Sequence, residues 1–323
     1  MIDRPNLKHL STIAEYLVYV PYKVDLKELY RPETLYAGFS SGHADSAADT
    51  YDQRVYRHYL DTGKRAYSAL ESLARSLHDY AIQKNLDDFL KHYDPKKVVG
   101  VMGGHALERT NEVYAKIVSL SKRMTEKGFL MISGGGPGAM EATHLGAWMA
   151  GRSAIEVQDA LSMLREFPTF RDKGWLESAF AVRDKYPQER YESLGVPTWL
   201  YGHEPATPFA TRIAKFFDNS VREDGILTLA FGGIVYSPGS AGTMQEIFQD
   251  AVQNHYLSFG YSSPMIFLGK DYWTDEMPVY LLLQHLVEKG KYKNLRLSIT
   301  DSVEEIVESL TEFYSEIKQH PLV

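Results

Sequence analysis

A doubly wound α/β fold with a mostly parallel sheet is what this sequence predicts, and three observations predict it. From residue 98 onward, short apolar runs alternate with helical segments. That order is how strands paired side by side through crossover helices read. Three of the runs end in glycine-bearing turns, which suits tight strand-to-helix connections. The runs are continuous rather than alternating, as expected for strands buried on both faces.

The elements follow in chain order. Residues 1–95 read as a mostly helical extension. Leu10, Ile13, Ala14 and Leu17 have helical spacing, whereas the polar stretch 40–53 reads as loop. Residues 53–92 read as one long helix or two, with Ala66, Leu70, Leu73, Ala74, Leu77 and Ala81 as the inward stripe. Beyond Pro95, Val98–Met102 is the first strand. A polar helix is expected over 108–126, a second strand over Phe129–Ile132, and a helix from Ala139. Residues 151–193 are charged and helical and read as an insertion within the 96–323 core. Strands are expected at Thr198–Tyr201, Ile234–Tyr236, Met265–Leu268 and Leu297–Ile299. Ser302 and Glu305 fit a capping box opening the last helix, with Val303, Ile306, Val307 and Leu310 facing inward.

Composition narrows the function. A net charge of −7 argues against a broad nucleic-acid footprint. With no cysteine, disulfides, thiolate catalysis and cysteine zinc sites are excluded. No apolar run approaches the ~20 residues that span a bilayer. The N-terminal stretch lacks an apolar core followed by a small-residue cleavage site. The expected location is cytoplasmic, with no membrane partner.

The glycine turns are Gly103-Gly104-His105, Gly134-Gly135-Gly136-Pro137-Gly138, and Pro238-Gly239-Ser240-Ala241-Gly242-Thr243. In an open α/β sheet, ligands bind beyond the carboxyl ends of the strands. Glycine admits close backbone approach, and the following helix offers free N–H groups to an anion. Any one such loop could be a plain tight turn; three at equivalent strand ends point to one shared crevice. There is no G-x-x-x-x-G-K-[ST], which argues against a Walker-type triphosphate site. The first loop lacks G-x-G-x-x-G, which argues against a dinucleotide. A monophosphate fits better.

The stretch from Pro238 to Glu246, PGSAGTMQE, resembles the PGGxGTxxE motif of the LONELY GUY family of phosphoribohydrolases. Gly134–Met140 resembles that family's other glycine motif. Gly103-Gly104-His105 and Gly138-Ala139-Met140 look closer to bacterial nucleotide 5′-monophosphate nucleosidases than to the plant enzymes. The resemblance covers roughly residues 96–310. It implies a Rossmann-like core, a homodimer or larger assembly, and hydrolysis of a nucleoside 5′-monophosphate to free base and ribose 5-phosphate. It also implies a catalytic Arg and Glu, no metal and no organic cofactor. Glu246 matches the motif's final Glu. Arg212, taken to lie on a helix, is the favoured Arg by its flanking apolar pattern, although it stands 26 positions before Pro238. Arg222, at 16 positions, has the better spacing. Ser240 departs from the motif, standing where the family has a second Gly. Some relatives carry an older label of lysine decarboxylase; no Lys here stands in a recognisable pyridoxal-phosphate context.

The chemistry follows from these residues. Cleaving an N-glycosidic bond puts positive charge on the ribose, which a carboxylate at Glu246 could stabilise while orienting water. Phosphate would sit on the N–H groups of Gly239, Ser240, Ala241, Gly242 and Thr243, near Gly103, Gly104, Gly134, Gly135, Gly136, Pro137 and Met140. His105 could contact the ligand or simply be satisfied within its loop. The spacing Thr243-x-x-Glu246 also fits a helix-capping pair, the competing role for that carboxyl. Asp218, Asp250 and His255 lack ligand-like clustering, so no metal site is expected. Trp175, Trp199 and Tyr201 read as packing residues. A non-catalytic nucleotide or cofactor carrier using the same crevice is the alternative function.

Overall fold

A computed structural model describes residues 7–42 and 44–319, without the side chains of 7–10, 44 and 45. The N-terminal six residues and Leu10's side chain, part of the sequence reading above, lie outside that description. Seven parallel strands form one sheet: β1 (Val98–Met102), β2 (Leu130–Ser133), β3 (Ser193–Gly195), β4 (Arg212–Ile213), β5 (Ile234–Tyr236), β6 (Pro264–Leu268) and β7 (Arg296–Thr300). Their spatial order is β4-β3-β2-β1-β5-β6-β7. The chain runs outward from β1 to β4, then returns to lay β5 on the other side of β1, with Val101 opposite Val235. The switch point of the sheet therefore falls between β1 and β5.

Twelve α-helices occur among the described residues. They are α1 (Leu7–Tyr19), α2 (Pro32–Leu35), α3 (Tyr51–Asp61), α4 (Ala69–Leu90), α5 (Glu112–Glu126), α6 (Ala139–Trp148), α7 (Ala154–Arg165), α8 (Trp175–Lys185), α9 (Asn219–Leu229), α10 (Ala241–Tyr256), α11 (Val279–Glu288) and α12 (Val303–Ile317). Strand residues alternate between two cores. Val98 and Met102 join one with residues of α9, α10 and α11. Val99 and Val101 join the other with α5, α6 and α12. Both faces are covered, which is why the strands read as unbroken apolar runs. None of the described helices is long and apolar enough to cross a membrane.

The structure corrects four local expectations. Thr198–Tyr201 is not a strand: Trp199–Tyr201 is a 3-10 turn, and the strand is Ser193–Gly195. Trp199 is drawn off the sheet to dock the N-terminal segment, its indole donating to Asp52 at 3.0 Å. Lys215 donates to the same carboxylate at 2.6 Å, both partners buried. Residues 211–217 are not helical, because Ile213 exchanges backbone bonds with Tyr30 at the edge of the sheet. The 53–92 region is two helices, and α4 buries Glu71, Ala74, Arg75, His78, Ala81 and Ile82 while Leu73 and Leu77 stay exposed. Its inward face is rotated from the apolar stripe because Glu71 and Arg75 pair at 2.7 Å inside the fold. Finally, Ser302 caps α12, but Glu305 takes the Thr300 hydroxyl at 2.5 Å instead of closing a reciprocal box.

One buried ion pair fastens the 151–193 segment to the core. Arg109 directs two N–H groups at Glu141, at 2.9 and 2.5 Å. It gives the rest to the Ser178 hydroxyl and the carbonyls of Phe167 and Trp175. Tyr114 adds a hydroxyl to Glu141 at 2.9 Å. Removing one member of a buried pair strands the other charge. Glu141→Ala should therefore lower the unfolding free energy by about 3–5 kcal/mol. Tyr114→Phe, which leaves the pair intact, should cost about 1 kcal/mol. Urea titrations of both variants measure this, and equally small losses would show that the pair does not hold the segment.

Candidate functional site

The three glycine loops meet at the switch point, and backbone contacts bind them together. Gly104 N–H donates to the Pro238 carbonyl at 3.0 Å, and Ala139 N–H to the Gly104 carbonyl at 3.1 Å. A side chain on Gly138 would start 2.4 Å from the Gly104 oxygen, and its φ of +69° belongs to glycine. A side chain on Gly239 would start 2.2 Å from the Thr243 hydroxyl. Beneath the second loop, His144 joins the Ser133 and Ser193 hydroxyls, each at 2.8 Å. Burial depresses the His144 pKa to about 3, so the ring is neutral and acts as a clamp. Gly135 N–H in turn rests on Ser133.

Ser240 begins α10 without a side-chain cap, so the helix presents its first N–H groups to the crevice. Tyr272 secures that loop, its hydroxyl donating to the Gly239 carbonyl at 2.6 Å. An open crevice of about 500 Å³ lies there between Gly104, Glu108, Pro238, Ser240 and Tyr272, room enough for a small ligand.

Two ionisable groups lie beside the glycine loops, Arg222 against Gly134 of the second loop and Glu246 on α10. Arg222, on the buried side of α9, donates to the Val196 carbonyl at 2.9 Å. Its Nη2 lies 2.5 Å from where a side chain on Gly134 would begin, so that glycine makes room for the guanidinium. Glu246 lies in the second turn of α10. Its carboxyl takes no hydrogen bond among the described residues. Burial raises its pKa to about 7; the Arg222 charge opposes the shift and the Glu223 charge adds to it. Asp250, one turn on, is also raised to about 7 by burial, but it is held by Tyr236 at 2.7 Å and Asn254 at 3.1 Å.

The structure brings Gly103, Gly104, His105, Gly134, Gly135, Gly136, Pro137, Met140 and Gly239–Thr243 to one place, but not Arg212. That residue lies on β4, the outermost strand, with its guanidinium paired to Glu192 at 2.6 Å. There it lines a larger cleft of about 860 Å³ with Arg31, Arg183 and Glu192. Arg222 occupies the position that Arg212 was expected to fill. The capping role for Thr243 and Glu246 is also removed: α10 starts at Ala241, so Thr243 sits inside the first turn and Glu246 beyond it. Asp218 caps α9 and His255 accepts the Lys293 N–H at 2.9 Å. Trp175 stacks on Arg109 and Trp199 is fully buried, while Tyr201 is exposed. Sequence reasoning missed Glu204, whose carboxylate stands 3.4 Å from His105. It falls in Gly-His-Glu-Pro, which reads as an ordinary turn.

The fold and site define a doubly wound α/β protein with a glycine-lined crevice at its switch point. Neither a protein-family model nor a curated protein sequence matches the chain. The molybdenum cofactor binding protein of the phototrophic bacterium Rippkaea orientalis superposes with a TM-score of 0.41 at 16 % identity. That match covers 67 % of this chain and 95 % of its own. A structural-genomics protein designated TM1055 gives a TM-score of 0.43 at 20 % identity, covering 67 % and 99 %.

The raised Glu246 pKa has a consequence independent of any ligand. Its folded value, about 7, lies above the ordinary 4.5, so the proton favours folding. That contribution is complete below pH 4.5 and is lost as pH rises through 7. Above this range the half-buried carboxylate costs up to about 3 kcal/mol. Glu246→Gln removes the titration, so its melting temperature should gain on the wild type between about pH 5 and about pH 8.5. Thermal melts across that range test this; a constant offset would mean that Glu246 ionises as it does in water.

Proposed function

We propose that the protein hydrolyses the N-glycosidic bond of a nucleoside 5′-monophosphate, releasing base and ribose 5-phosphate. The observation that carries this reading is a carboxyl held near neutrality beside Arg222, on the helix whose uncapped start forms the glycine crevice. The resemblance of PGSAGTMQE to the phosphoribohydrolase motif supports the same assignment of Glu246. In this reading the phosphate rests on the N–H groups at the start of α10. The Glu246 carboxylate faces the ribosyl carbon as the bond to the base lengthens and positive charge develops there. Water attacks that carbon. Its departing proton passes to Glu246 and from there to the base, which leaves with the bonding electrons. Arg222 favours the ionised form of Glu246, the form able to accept that proton.

Wild-type protein should release base from AMP or another nucleoside 5′-monophosphate with no metal added, and act far more slowly on the nucleoside. Activity should rise with pH through about 7, because the working form is the carboxylate. Glu246→Gln should lower kcat by about 100-fold or more while nucleotide binding persists. Arg222→Ala should move the acid limb of the pH profile upward, while Arg212→Ala stays near wild type. Chromatographic assay of free base measures each. Equal turnover of adenosine and AMP would overturn the reading, and tight nucleotide binding without base release would make the crevice a carrier site instead.

A further inference from the structure

Glu204 is an acidic residue beside the second glycine loop to which hydrolysis assigns no task. Its side chain is 17 % exposed, and its carboxylate has two weak neighbours, His105 Nδ1 at 3.4 Å and His203 Nε2 at 3.8 Å. Its Oε2 lies 3.7 Å from where a side chain on Gly136 would begin. Arg222 stands over Gly134 of the same loop, and the Met140 sulfur lies near both glycines. Glu204 and Arg222 thus attend the two ends of the Gly134–Gly136 arc. On the other side, His105 follows Gly104, which is bonded to Pro238 at the entry to α10.

The backbone carrying Glu204 is fixed rather than loose. Glu204 N–H donates to the Tyr201 carbonyl at 2.8 Å, and Thr207 N–H to the Gly135 carbonyl at 2.8 Å. Tyr36 of the N-terminal segment donates its hydroxyl to the Ala206 carbonyl. A carboxylate held in place, largely out of water and with lone pairs to spare, is suited to accept hydrogen bonds from a neutral donor pair. Two adjacent hydroxyls are such a pair, and O–H bonds to a carboxylate are among the stronger ones.

We infer that Glu204, flanked by His105, receives the ribose 2′- and 3′-hydroxyls and makes the crevice select ribonucleotides over 2′-deoxyribonucleotides. This rests on the nucleotide reading of the crevice, though not on hydrolysis. A ligand lacking the 2′-hydroxyl leaves a desolvated oxygen unpaired, the kind of loss by which sites built around a hydroxyl discriminate. Phosphate at the start of α10 and the diol at Glu204 would orient the sugar across the floor of the crevice.

Calorimetric titration of AMP and 2′-deoxy-AMP into wild type, Glu204→Gln and Glu204→Ala tests this. Wild type should bind AMP at least about tenfold more tightly than 2′-deoxy-AMP. Glu204→Ala should bring AMP down to the 2′-deoxy-AMP affinity and leave the latter unchanged, which also reports an intact fold. Glu204→Gln should fall between. Wild type that does not discriminate, or a variant that weakens both ligands alike, overturns the inference. Binding with ribose selectivity but no base release overturns hydrolysis and upholds this inference; base release from both nucleotides at equal kcat/KM does the reverse. Failure of wild type to bind either nucleotide overturns both.

Discussion

Backbone crowding at the switch point is the constraint on which the rest of the structure depends. Three loops approach so closely that Gly103, Gly138 and Gly239 have no space for a β-carbon. A side chain on Gly103 would start 1.9 Å from the Ser237 oxygen. Close approach leaves N–H groups, rather than side chains, as the lining of the crevice floor. The same crowding means that small displacements of any loop are resisted by the other two, because close-packed interiors transmit strain instead of absorbing it.

The surrounding elements act as buttresses for that junction. Neutral His144 ties β2 to β3 below the second loop. Arg109 and Glu141 join the start of α6 to the 151–193 segment. Phe170 of that segment meets the His105 ring edge-on at 6.1 Å. The N-terminal helices reach the opposite side through Asp52, Trp199 and Lys215. Burial, which raises Glu246, and the Arg222 charge, which lowers it, then act on a carboxyl whose surroundings are fixed. Preorganised surroundings of this sort are what let charge effects outweigh those available in water.

The parts of the fold legible in the sequence were those set by local pattern. Val98–Met102 and Ile234–Tyr236 form strands with the bounds their apolar runs suggested, since both faces of a central parallel strand are buried. The glycine loops were legible because a turn beyond a strand end is a local event. What escaped was governed by distant partners. Thr198–Tyr201 has strand-like residues, yet Trp199 answers to Asp52, 147 positions earlier. Arg212 has helix-like apolar neighbours, but Ile213 pairs with Tyr30. The stripe on α4 misled because its buried face carries the Glu71–Arg75 pair, and a charged pair looks like an outer surface until its partners are known. For the candidate site, spacing from Pro238 pointed to Arg222 while flanking pattern pointed to Arg212; position in the sheet favours the former. Glu204 carried no local signal at all.

The bond between Lys215 and Asp52 joins residues 163 positions apart, and that separation bears on how the chain is made. At ribosomal rates of about 5–20 residues per second, roughly ten to thirty seconds pass between synthesis of the two ends. During that interval the N-terminal segment is outside the ribosome with Tyr22, Tyr30 and Tyr59 in search of a surface that does not yet exist. Contacts this remote also carry a heavy loop-closure entropy, which slows folding relative to chains stitched locally. Asp52 and the helices around it are thus made well before Lys215 and settle only after it. Until the sheet has been translated, Tyr22, Tyr30 and Tyr59 stay exposed, the kind of unburied apolar surface that makes a nascent chain prone to aggregate.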